Sequence, residues 1–203
     1  MPDARTPTSR LTAQPPGRRR PRGFSLVEVL VSLVVLSIGV LGAVGMQLTS
    51  LQASKEVRFQ AVAGSMAREL AEKMRGNHAI ARKFKSNVNP YLISTTLAKT
   101  ASVSTPSQNC YSNSCAAIDV ANWDIADWQL RLRDALPAPR VVVCWDDAPF
   151  STAGVPRWAC SNKGDVAVVK LAWTRADSKG DLITANGAAA IPLLVLPVTA
   201  GSL

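Results

Sequence analysis

In the stretch Arg22-Gly23-Phe24-Ser25-Leu26-Val27-Glu28, residue types and spacing could do chemistry. A basic, proline-rich leader ends there in glycine. An apolar run follows from Phe24 to Met46, long enough to span a bilayer as a helix. One charge, Glu28, sits five residues into that run. An unpaired carboxylate in hydrocarbon costs a few kcal/mol. A membrane anchor alone has no use for it, so a step after membrane insertion should use that charge. In a low-dielectric surrounding, pairing with an ammonium compensates it. The bland alternative is a signal anchor whose glutamate snorkels to the membrane edge.

Other reactive side chains are few. Cys110, Cys115, Cys144 and Cys160 all lie well past the apolar run. An even count on the oxidising side of a membrane reads as disulfides, and four cysteines allow three connectivities. The sequence-local pairing, Cys110–Cys115 and Cys144–Cys160, is the expectation. Zinc is the rival, but neither spacing repeats the close cysteine pairs of a zinc site. His78 is the one histidine, with no acidic residue beside it in sequence. Neither a Gly-x-Ser-x-Gly elbow nor a P-loop is present. Asp146-Asp147, and Asp124 with Asp127, are read as caps and turn residues, not as calcium ligands. The expectation is a non-enzyme without metal or cofactor.

The chain has 203 residues and a net charge of +9. The leader to Gly23 carries +5 of it, from six arginines and Asp3, which leaves +4 on the rest. The high pI is thus largely a leader effect and argues weakly for nucleic-acid binding. The run Arg82, Lys83 and Lys85 is short, with Phe84 its one interleaved aromatic, so no specific nucleic-acid binding is expected. Arginines beside an apolar span keep that end in the cytoplasm and send the remainder across the inner membrane to the periplasm. Residues 1–23, rich in proline, read as a disordered leader.

These residues must be positioned by a long helix and a small head. Residues 24–46 are uniformly apolar and residues 47–76 amphipathic, with Val62, Met66, Leu70 and Met74 spaced by four. One helix from Phe24 to about Arg75 would be on the order of 80 Å long. Gly76-Asn77 is its expected C-cap. Gly39, Gly42 and Gly45 interrupt the apolar half, either as a close packing face or as a segment that loosens on leaving the membrane. Residues 77–203 form the head. Residues 80–109 read as mostly loop with a short helix. A helix should start at Asn122 as N-cap and stop at Pro137, with Ile125, Trp128, Leu132 and Leu136 on one face. Strands are expected over 140–145, 165–173 and 190–198, the last at an edge because of its prolines, with a turn at 178–181. The tryptophans read as head core, although Trp158 in a polar loop could meet a partner. The fold class is α+β: a long N-terminal helix, half apolar and half amphipathic, packed on a small antiparallel β-sheet.

Gly23-Phe24-Ser25-Leu26-Val27-Glu28-Val29-Leu30 resembles the processing site of type IV prepilins and of type II secretion pseudopilins. The resemblance implies cleavage by a prepilin peptidase between Gly23 and Phe24. It also implies N-methylation of Phe24, and Glu28 as the glutamate at the fifth position of the mature chain. The amine freed at Phe24 is then the obvious partner for Glu28 of a neighbouring subunit, a pairing that would set axial register in assembly. Residues 39–47 and 67–77, Ile118-Asp119 leading into Trp128, Leu136-Pro137, and 169–173 look like the PilV-type minor pilins. That implies a low-abundance subunit that initiates pilus assembly with other minor pilins and the major pilin, on an inner-membrane assembly platform. The runner-up is a minor pseudopilin of a type II secretion system. A membrane-tethered periplasmic enzyme is a further alternative.

Overall fold

The computed structural model describes residues 23–106, 108–176, 181–187 and 190–198. Two compact units divide the chain, Met1–Thr49 and Ser50–Leu203. Residues 1–22 of the leader, and all of the expected turn at 178–181 but Asp181, lie outside the described residues.

Helix α1 runs unbroken from Leu26 to Gly76. In the first unit its large apolar side chains are exposed, Leu36, Ile38 and Leu41 among them. Among the described residues it is the helix long and apolar enough to cross a membrane. In the second unit Ala63, Met66, Ala67, Leu70, Ala71 and Met74 are buried. They recur every three or four residues, which puts one face of the helix into the core. The helix includes Gly76, and the amide of Asn77 closes its last turn on the Lys73 carbonyl at 3.1 Å. Asn77 then opens the short helix α2 (His78–Ala81), accepting from the amides of Ile80 and Ala81.

Four antiparallel strands form the main sheet in the order β1-β2-β3-β6: β1 (Ser94–Thr96), β2 (Arg140–Trp145), β3 (Ala167–Ala172) and β6 (Leu194–Val198). β6 holds the edge, with Pro197 opposite Val168. A proline lacks a ladder donor, so an edge is where a strand tolerates it. β1 is an edge strand inside the stretch read as loop, and three residues of Ser and Thr give too little alternation to announce it. A further two-stranded piece pairs β4 (Arg175–Ala176) with β5 (Leu182–Ile183).

Helix α3 spans Ala117–Ala135. Its start corrects the expectation at Asn122. The cap lies six residues earlier, at Ala116, which makes no side-chain capping bond, and Asn122 stands exposed on the helix surface. Alanine-rich Ala116-Ala117-Ile118-Asp119-Val120-Ala121 has no breaker, and Ala121 adds a buried position, so the helix extends through a good capping residue. Pro137 does end it. Ile125, Trp128, Leu132 and Leu136 are buried as one face. The core lies between α1, α3 and the sheet face of Val141, Val143, Ala167, Val169, Leu171 and Trp173.

Candidate functional site

Gly23, Phe24 and Ser25 precede the first turn of α1. The Ser25 carbonyl accepts from the amides of Glu28 and Val29, at 3.0 and 3.2 Å, and so starts the helix. The Gly23–Phe24 peptide bond therefore lies outside the helical hydrogen bonds. Phe24 is 82% exposed, and a Cβ on Gly23 would meet nothing within 4 Å. Glu28 stands in the first turn of α1, where the helix dipole favours a negative charge. It is exposed and has no ion-pair partner among the described residues.

The hydroxyls of Ser32 and Ser37 in the apolar half are satisfied locally. Ser32 Oγ donates to the Glu28 carbonyl at 2.6 Å and Ser37 Oγ to the Leu33 carbonyl at 2.7 Å. Bonding back one turn removes their polarity from the helix surface. Glu28 is thus the formal charge left on this face. Gly39, Gly42 and Gly45 stay helical, none has a positive φ, and an added Cβ would meet nothing within 4 Å at any of them. No contact within the described residues requires glycine there.

In the second unit, ionic and polar ties hold the elements together. Glu69 on α1 takes a two-pronged pair from Arg131 on α3, with Arg131 Nη1 at 2.8 Å, and Arg131 also binds Asp127 at 3.0 Å. The hydrogen bond from Arg131 leads in holding the Glu69 carboxyl below its ordinary range. Asp124 accepts from Lys73 at 2.7 Å and from the buried Tyr91 hydroxyl at 2.9 Å. Burial, then the Asp124 charge, pushes the Tyr91 hydroxyl well above its usual value. Trp128 Nε1 donates to the Met66 carbonyl at 2.8 Å, and Trp173 Nε1 to Glu56 at 3.3 Å. Asp124 and Asp127 are thereby engaged with cations.

Lys170 is the residue that the sequence pattern missed. It is fully buried in β3, with its ammonium 2.5 Å from Asp146 and 2.7 Å from the Ala159 carbonyl. Asp146 also accepts from the amides of Ala148 and Ser161. Burial pushes the Asp146 carboxyl up, but the hydrogen bonds and charge facing it win, and it lies below its ordinary range. A lysine inside an apolar strand was the available signal.

Cys110 is bonded to Cys115, and Cys144 to Cys160. Asp146 lies near Cys144 and Cys160, but those two sulfurs are bonded to each other and are not thiolate ligands. His78 is exposed on α2. Trp128, Trp145 and Trp173 are buried, while Trp123 and Trp158 are half-buried.

Residues 18–44 match the family described as the prokaryotic N-terminal methylation motif. Residues 45–126 match the family described as type IV pilin Tt1218. The chain has no match among the curated proteins or the solved structures.

Proposed function

We propose that this chain, whose two family matches support a type IV pilin processed as a prepilin, is a minor pilin of the PilV type. Prepilin peptidase cuts between Gly23 and Phe24, and Phe24 is then N-methylated. The anchor of residues 24–46 holds the subunit in the inner membrane as a single pass, with residues 47–76 continuing the helix and the head of residues 77–203 in the periplasm. From there it joins other minor pilins and the major pilin on the assembly platform, helps to initiate the filament, and reaches the cell surface within it. The role is structural and not enzymatic.

The observation that carries this reading is one charge on an otherwise apolar helix face, four residues after an exposed, non-helical glycine–phenylalanine bond. Cleavage there creates an amine. Glu28 of one subunit pairs with that amine on its neighbour, and the pair sets axial register inside an apolar helix bundle. Uncleaved chain has no such amine and does not assemble. Gly39, Gly42 and Gly45, free of contacts in the described residues, suit close approach of a second helix.

The same signal serves a minor pseudopilin of a type II secretion system, so the test is a deletion strain. Loss of surface pili with normal protein export supports the pilus. Retained pili with exported proteins held in the periplasm would transfer the subunit to secretion.

A further inference from the structure

We propose that the head carries a binding surface for single-stranded nucleic acid, built on the loop of residues 82–88. In sequence this basic run has one aromatic beside it. The fold supplies the others. Phe84 stacks on Trp145 with ring centroids 4.4 Å apart and planes 25° apart. Arg140 lies 4.1 Å over the ring of Trp158. Phe84, Trp145 and Trp158 together line a concavity of about 400 Å³, with Ser86 and Asn162 as its polar wall.

The loop is held in place from below. The fully buried Asn89 donates from Nδ2 to the carbonyls of Ala81 and Lys83, at 3.0 and 2.8 Å, and accepts from the Tyr91 amide. Trp145 Nε1 also reaches the Lys83 carbonyl at 3.4 Å. Trp158 Nε1 donates to the Ala190 carbonyl at 2.8 Å, which fixes that indole. These bonds leave Phe84 57% exposed on a rigid base. An apolar ring kept outside the core, with one face on Trp145, is a platform on which a further flat ring can stack.

Charge selects the occupant. Arg82, Lys83 and Lys85 are exposed and have no carboxylate partner among the described residues. Arg140 and the exposed Lys163, next to the lining Asn162, add two more cations. The exposed acids of the neighbouring loop are Asp147 and Asp165. Asp146 is already neutralised by Lys170. A flexible polyanion that also carries flat rings satisfies both features: phosphates against the cations and a base against Phe84. A duplex hides its ring faces in its own stack and does not.

The test is fluorescence anisotropy of a labelled twenty-nucleotide oligothymidylate with the full chain in detergent micelles, its six leader arginines replaced by glutamine so that the leader does not bind polyanions, and dextran sulfate as a polyanion without rings. The expected result is binding whose log affinity falls with log salt at a slope of about −2, from roughly three phosphate contacts. Phe84→Ala should weaken the oligothymidylate roughly tenfold and leave dextran sulfate unchanged. Lys83→Gln with Lys85→Gln leaves the ring stack intact and should weaken both ligands. Far-UV circular dichroism and the melting temperature check that each variant is folded. No binding at low salt would overturn the proposal, and so would a Phe84→Ala effect equal for both ligands or absent from both.

Discussion

A lysine at zero exposure in the middle of a strand is costly unless its charge is met, and Asp146 meets it. Removing one partner leaves the other ion buried and alone. Asp146→Ala is expected to destabilise the head by about 3–5 kcal/mol, measured by thermal or urea unfolding. Replacing both members, as Asp146→Leu with Lys170→Met, should recover much of that loss. Asp146 also gives the head an acid limit. Its folded carboxyl titrates below the unfolded one, so the stability it contributes is full at neutral pH. That stability is lost as pH falls below about 4, through the folded value. Melting temperatures taken from pH 7 to pH 3 should drop over this range, and Asp146→Asn should flatten the drop. Glu28 makes the opposite case, a carboxylate without a cation among the described residues. Glu28→Leu should leave membrane insertion and cleavage at Gly23 intact and abolish recovery of the subunit in sheared pili. Normal recovery would sink the register role.

Among the elements, α1 was the most legible. Its amphipathic half follows from spacing, because a helix must repeat its buried residues every three or four positions, its apolar half from an unbroken apolar run, and its end from Gly76-Asn77. β2 and β3 were legible from their β-branched content, β3 also from the alternation of its side chains, and β6 from a closing apolar run whose prolines suit an edge. Three features were hidden. The start of α3 was missed because Asn122 has the chemistry of a cap but sits in a segment with no reason to stop being helical. β1, β4 and β5 were missed because two or three residues carry no period, and tertiary pairing decides them. The Lys170–Asp146 pair was missed because it joins positions 24 residues apart that only the sheet register places together. Two ties between elements should be measurable. Trp128→Phe deletes the bond to the Met66 carbonyl and leaves a cavity where the five-membered ring stood, so it should lower stability by more than the about 1 kcal/mol of the hydrogen bond alone. Cys144→Ser with Cys160→Ser opens a link across 16 residues, with an expected loss of about 3 kcal/mol measured by urea unfolding.

Across the whole molecule, charge and apolarity are divided by task. The leader holds +5 of the net +9, the following helix exposes an apolar surface, and the second unit buries its own core and carries two disulfides. That division is read at once from sequence, and so is the motif around Gly23, Phe24 and Glu28, because a run of adjacent residues does not depend on long-range packing. The aromatic concavity beside Phe84 was not readable, since Trp145 and Trp158 reach it only through the fold. The central claim is that the chain is cut at Gly23 and works as a prepilin-class subunit. Mass spectrometry of the N-terminal peptide, from protein purified out of its native membranes, tests it most directly. The account predicts a peptide that begins at N-methylated Phe24. A retained leader, or a cut beyond Met46 that discards the apolar run, would contradict it.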